Sequence, residues 1–124
     1  MSTKVRPERV AQEIQAAVAD LLLRGKIKDP RIGFVTVTDV EVSDDLRNAK
    51  VFVSVYGEGK EASLKGLASA SAFIRSELGR RMRMKFVPEL LFRFDKTVEQ
   101  GAHIMELLRD IEKKEHEEKD PNDE

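Results

Sequence analysis

The chain contains no cysteine, which excludes a disulfide framework, a thiolate zinc site and a thiol nucleophile. No window approaches the ~20 consecutive apolar residues that a membrane-spanning helix needs. The opening "MSTKVRPERVAQEIQ" also lacks the apolar core of a secretion signal, so the expectation is a cytoplasmic protein with no membrane partner. Glycine is sparse and badly spaced for phosphate binding. Gly57, Gly59, Gly66 and Gly79 form neither a G-x-x-G clamp nor a nucleotide-binding loop or dinucleotide fingerprint.

With 124 residues, the chain has room for one domain and one modest core. The expected division is a domain over residues 1–112 and a disordered acidic tail over 113–124. The net charge of −1 conceals a strong asymmetry. Residues 1–31 carry seven basic and four acidic side chains, and residues 32–64 carry three and six. Residues 65–94 carry seven and two, and residues 95–124 carry five and eleven. A basic middle and an acidic end point to nucleic-acid contact or to a solvating tail.

The periodicity of Val10, Ile14, Ala17, Val18, Leu21 and Leu22 predicts an amphipathic helix from Pro7 to Leu23. Two β-branched stretches, residues 32–42 and 49–55, predict strands, and the short polar link 43–48 makes them an antiparallel hairpin. Helical spacing returns at Leu64, Leu67, Ser71, Ile74, Leu78 and Met82. The run "ASASA" interrupts it, so a kink or break is expected near Ala70. After Pro88, residues 90–94 predict a third strand, and a strand–helix–strand connection fits parallel neighbours. Thr97 and Gln100 suggest a capping box for an appended helix through Ile104, Leu108 and Ile111. The expected fold is α+β, with helices packed on one face of a small sheet.

Arg75, Arg80, Arg81, Arg83 and Lys85 crowd into one short stretch. With Ile74, Leu78 and Met82 turned to the core, most of these cations face outward, and acidic partners at helical spacing are nearly absent. Such a stripe suits phosphate contacts, although a solvated face has the same composition. Arg6, Arg9, Lys26, Lys28 and Arg31 form a second basic group flanking the first helix.

Catalysis has little support. His103 lies within the last predicted helix and His116 in the charged tail, which suits structural or solvated roles. Asp39 and Glu41 share a strand face, while Asp44 and Asp45 sit in a turn that favours aspartate anyway. No metal, no cofactor and no enzymatic activity are expected. The acidic tail reads as a solubilising extension or as a competitor with RNA for the basic face.

Several long stretches, in order, resemble the bacterial ribosome-binding factor A family. They are "RPERVAQEIQ", "KIKDPRIGFVTVTDVEVSDDLRNAKVFVSV", "SASAFIRSELGRRMRMKFVPEL" and "FDKTVEQGAHI", and they span about Arg6 to Leu108. The resemblance implies a single type II KH-like domain of order α-β-β-α-kink-α-β. In such a domain an Ala-x-Gly helix kink stands where ordinary KH domains have G-x-x-G. The corresponding residues here are Ala70, Ser71 and Ala72, so alanine replaces the family's glycine. Alanine lacks glycine's freedom at positive φ, so the kink is expected to be shallower or to stay within helical angles. The implied function is binding, as a monomer, to free 30S subunits and their 16S rRNA, late in maturation of the rRNA 5′ end and with importance in the cold. An ordinary KH-like module for single-stranded RNA and a protein-only interaction module are the competing readings.

Overall fold

Pro7 opens the first helix because its fixed φ and missing N–H cost nothing in a first turn, where amide hydrogens have no helical acceptor. In the computed structural model, which describes residues 6–84, 86–97, 107–109 and 111–112, this helix is α1, Pro7–Leu23. Val10, Ile14, Ala17, Val18 and Leu21 form its buried stripe. The chain turns out of the helix at Gly25, where φ is 65°, a left-handed conformation that glycine adopts without a Cβ clash.

Two strands follow, β1 (Phe34–Val42) and β2 (Asn48–Tyr56), paired antiparallel. β1 contains a bulge: Val37 opposes Val53 and Asp39 opposes Phe52, which leaves Thr38 as an extra residue. The bulge decides which side chains are buried. Strict alternation from Val35 and Val37 would point Asp39 and Glu41 into the core. The extra residue shifts the phase, so Val40 is buried while Asp39 and Glu41 are exposed. The shared face of these two carboxylates, expected from sequence, is therefore reached through the bulge.

The crossover consists of α2 (Lys60–Ser69) and α3 (Ser71–Met82), and β3 (Glu89–Phe94) then runs parallel to β2. Parallel neighbours require such a crossover, and the strand order is β1-β2-β3. One core joins Ile14 and Leu21 of α1, Val51 and Val53 of β2, Leu67 of α2, Ile74 and Leu78 of α3 and Phe92 of β3. The expected α+β layer is present. β1 begins two residues later than expected, because Ile32 and Gly33 belong to the loop that approaches α2.

That loop is clasped by the buried Ser63. Its Oγ accepts the Gly33 N–H at 3.0 Å and donates to the Arg31 carbonyl at 3.3 Å. One helical turn later, Gly66 lets the loop come closer still. A Cβ there would stand 2.7 Å from Ile32 Cγ1 and 3.3 Å from Arg31 Cβ.

After β3, Lys96 and Thr97 are helical, and Asp95 rather than Thr97 caps them, its Oδ1 accepting the Thr97 N–H at 2.9 Å. Residues 107–109 and 111–112 are also helical. The remainder of the expected last helix, His103, His116, Gln100 and the acidic tail lie outside the described residues.

In the Gly66→Ala variant, overpacking of about 1–3 kcal/mol opposes a helix-propensity gain of about 1 kcal/mol. The variant is expected to unfold at lower urea concentration than the parent, and a higher midpoint would show that the loop yields freely.

Candidate nucleic-acid interface

The small residues of "ASASA" occupy the junction of α2 and α3. Ala70 is at once the last cap of α2 and the first cap of α3, with φ −86° and ψ 0°. Its N–H donates to the carbonyls of Gly66 and Leu67, and its own carbonyl accepts from Ile74. The hydrogen-bond ladder thus passes through the junction while the axis breaks, a geometry that the bridge region of backbone space permits. None of Ala70, Ser71 and Ala72 has positive φ. The glycine that the family pattern would supply is not needed, because this break stays on the right-handed side. Ala68, Ser69 and Ala72 are exposed around it and Ser71 is half-buried, so the outside of the break has no bulky side chain except Phe73, which is 45% exposed.

The arginines of α3 are less free than their spacing suggests. Arg75 turns inward along the helix flank, donating from Nε to the Pro88 carbonyl at 3.1 Å and from Nη2 to the Val87 carbonyl at 3.0 Å. It ties α3 to the start of β3. Arg80 pairs with Glu77, and Arg81 Nη1 reaches Asp20 Oδ2 of α1 at 2.8 Å. Asp20 also accepts from Arg24 Nε at 2.8 Å. Hydrogen bonds from Arg24 first, and then Arg81, hold the Asp20 carboxyl below its ordinary range. Glu77 is the one acidic residue of α3 at helical spacing, and it pairs with Arg80, while the partner of Arg81 comes from α1, 61 positions away in sequence.

An excess of positive charge nonetheless remains. Arg24, Arg75, Arg80, Arg81 and Arg83 carry five guanidinium groups against the two carboxylates of Asp20 and Glu77. Arg80 and Arg81 also lie in the last turn of α3, where cations complement the helix dipole. Arg83 ends that helix in a left-handed conformation, φ 52° and ψ 37°. It is exposed and has no hydrogen-bond or ion-pair partner among the described residues. Lys85 lies outside the described residues.

The second basic group divides. Arg6 caps the N-terminal end of α1 and Arg9 sits within its first turn, 4.0 Å from Glu13. Lys26 and Lys28 are exposed beyond the other end, and α1 is about 25 Å long at 1.5 Å per residue. Arg31 holds Asp29 through Nε at 3.0 Å and Nη2 at 2.7 Å. With the Arg31 N–H adding to these bonds, the Asp29 carboxyl is lowered to about 2. The Ser63 and Gly66 clasp sets this loop beside α2, one turn before the break. Lys28 and Arg31 are thereby brought toward the helix junction, and the Arg81–Asp20 pair joins the end of α3 to the same end of α1. Arg6 and Arg9 stand at the far end of that helix.

Three features escaped the sequence reading. Ser63 and Gly66 position the basic loop, and nothing in local spacing marks either. Phe73 could have been found, since it falls off the Ile74–Leu78 stripe. Among the described residues, no group of His, Cys, Asp or Glu is arranged to hold a metal ion.

The order α-β-β-α-α-β on a sheet of order β1-β2-β3, with a helix break in place of a glycine loop, defines a type II KH-like domain. The family model described as Ribosome-binding factor A matches residues 6–108. A ribosome-binding factor A of Desulfitobacterium hafniense is 50% identical over 119 residues, covering 94% of this chain and 93% of that protein. One of Natranaerobius thermophilus is 50% identical over 109 residues, covering 86% and 82%. The crystal structure of ribosome-binding factor A from Thermus thermophilus superposes with a TM-score of 0.61 at 28% identity, covering 72% of this chain and 96% of that one. Coordinates of the Thermus thermophilus factor fitted into a cryo-EM map of a 30S complex give 0.62 at 28% identity, covering 73% and 96%. The chain belongs to the ribosome-binding factor A family.

Because the break requires no positive φ, restoring the family's glycine by Ala72→Gly should bring no gain. It is expected to lower stability by about 0.5 kcal/mol through backbone entropy, measured by thermal unfolding. A rise in stability would mean that Ala72 is strained.

Proposed function

We propose that this protein is a ribosome assembly factor that binds the free 30S subunit through its 16S rRNA and assists late maturation of the rRNA 5′ end, with particular importance in the cold. The observation that carries the reading is the excess of guanidinium groups at the far end of α3, the helix that starts at a break whose outer side offers almost only small side chains. A phosphate backbone can approach such a surface closely and release its counterions there. Relatives in this family, one of them placed on a 30S particle, supply the partner.

In this reading Lys26, Lys28, Arg80, Arg81, Arg83 and Lys85 make phosphate contacts. Arg6 and Arg9 contribute a second, separate contact. Arg75 has a positioning role, since its guanidinium is occupied by the Val87 and Pro88 carbonyls. Phe73 offers an aromatic face beside the break, and stacking of an unpaired base on such a face contributes about 1–3 kcal/mol. The protein performs no chemical step. By binding one rRNA conformation more tightly than others, it raises the population of that conformation. It works as a cytoplasmic monomer without a cofactor.

An ordinary single-stranded RNA module is less well supported, because the clamp that grips four nucleotides in such domains is a G-x-x-G loop, and here the connection is one alanine.

Co-sedimentation with free small subunits and with complete ribosomes, at low and raised salt, tests this function. Salt-sensitive association with free subunits, lost on complete ribosomes, is expected. The combined Arg80→Ala, Arg81→Ala and Arg83→Ala variant should bind more weakly. The slope of log affinity against log salt should flatten by about 0.7–0.9 for each phosphate contact removed. Exposed ion pairs of this kind contribute little to folding, so the variant remains folded. Unchanged binding by the folded variant would place the interface on another face.

A further inference from the structure

Every described residue after Asp95 is exposed, the apolar Leu107, Leu108 and Ile111 included. Most helical stability in proteins comes from packing a buried face, and a short helix without one is marginal in water. Since none of these residues supplies such a face, the start of the segment has an outsized effect on whether it is helical. Asp95 acts there as N-cap, its Oδ1 accepting the Thr97 N–H at 2.9 Å.

The other oxygen of the same carboxylate reaches across the sheet. Asp95 Oδ2 accepts the hydroxyl proton of Thr38 at 2.6 Å, the length of a charge-assisted O–H···O⁻ bond. The Phe52 carbonyl, 3.3 Å from the same hydroxyl, is the weaker of its two acceptors. Thr38 belongs to β1 and Asp95 follows β3, so β2 lies between them, and two strand spacings amount to about 10 Å. Two features close that distance. The Asp95 N–H donates to the Val53 carbonyl, which continues the β3 ladder by one residue. By alternation with the exposed Leu91 and Arg93, the carboxylate then turns to the open face of the sheet. Thr38 is the extra residue of the β1 bulge, and a bulge re-aims a side chain while it bends the strand.

We propose that the Thr38–Asp95 bond is a latch that sets how far the segment after β3 is helical. With Oδ2 held by Thr38, the carboxylate is fixed in the rotamer that presents Oδ1 to the Thr97 N–H. Released, it has the freedom of an ordinary aspartate at a strand end, and the cap forms less often. Bulge, sheet and helix thus share one carboxylate. The helix that begins at Lys96 is a conditional element, and its order is set from the far edge of the sheet. The bulge then has a second role besides burying Val40: it supplies the hydroxyl that closes the latch.

The test measures Cα chemical shifts of the full chain, which report helix population residue by residue, in the parent, Thr38→Val and Thr38→Ser. Valine keeps the shape and branching of threonine without the hydroxyl, and serine keeps the hydroxyl. In Thr38→Val the ratio of helix to coil at Thr97 and at residues 107–109 and 111–112 should fall about fivefold, the effect of losing an N-cap. The shifts of α1, α2 and α3 should not move, and Thr38→Ser should keep the parental ratio. Asp95→Ala removes the cap outright, so adding Thr38→Val to it should cause no further loss, as expected of two residues acting through one contact. Coil shifts in the parent, or an unchanged ratio in Thr38→Val, would overturn the proposal. Equal losses in Thr38→Ser and Thr38→Val would do so as well, since side-chain branching would then matter instead of the hydroxyl. A further fall when Thr38→Val is added to Asp95→Ala would show that Thr38 acts on the segment by another route.

Discussion

The charged side of the molecule depends on how closely α2 can approach the loop Asp29–Gly33. Gly66 has no Cβ to hold the loop away, and the Ser63 hydroxyl satisfies one donor and one acceptor of the loop backbone in a buried position. Buried backbone groups need such partners. With the loop fixed there, Arg31 locks Asp29, Lys26 and Lys28 project from a defined place, and α2 ends where the chain must turn into α3. Loosening this contact would move the basic loop relative to the helix break while leaving the sheet in place.

The arginines do two kinds of work, and the hydrogen bonds separate them. Arg75 fastens α3 to the entrance of β3, and Arg81 fastens it to α1. These contacts use guanidinium groups as struts without removing their charge. Arg83 carries its charge at an exposed, left-handed helix end. A ligand that gathers positive charge therefore meets a surface already rigid, so little side-chain ordering is lost on binding. The break itself is rigid for a different reason. One alanine shared by two helices, with its N–H and carbonyl both bonded, has less freedom than a glycine loop.

Much of this architecture was legible in the residues. Pro7 and Gly25 bracket α1, the hairpin follows from two β-branched runs joined by a polar link, and small residues mark the break at Ala70. What could not be read depends on contacts distant in sequence. The bulge at Thr38 leaves a local trace, since Val37 and Val40 are three apart where alternation would place them two apart. Its consequence for Asp39 and Glu41 nevertheless depends on pairing with β2. The pairing of Arg81 with Asp20, the turning of Arg75 to backbone carbonyls and the clasp at Ser63 have no local signature. The basic stripe was visible as composition, whereas its partial neutralisation required the packing of α1 against α3. The separation of Arg6 and Arg9 from Lys26 and Lys28 follows from the length of α1 and was hidden while they were counted as one group.

The absence of cysteine allows a direct measurement of which face meets rRNA. A single Ala72→Cys variant places a hydroxyl-radical source at the exposed side of the break, and Lys50→Cys places one on the opposite, open face of the sheet. On the free small subunit, strong rRNA cleavage from position 72 and weak cleavage from position 50 is the expected result. Cleavage from position 50 alone would contradict the assignment of the helix break and its arginines as the RNA-binding surface.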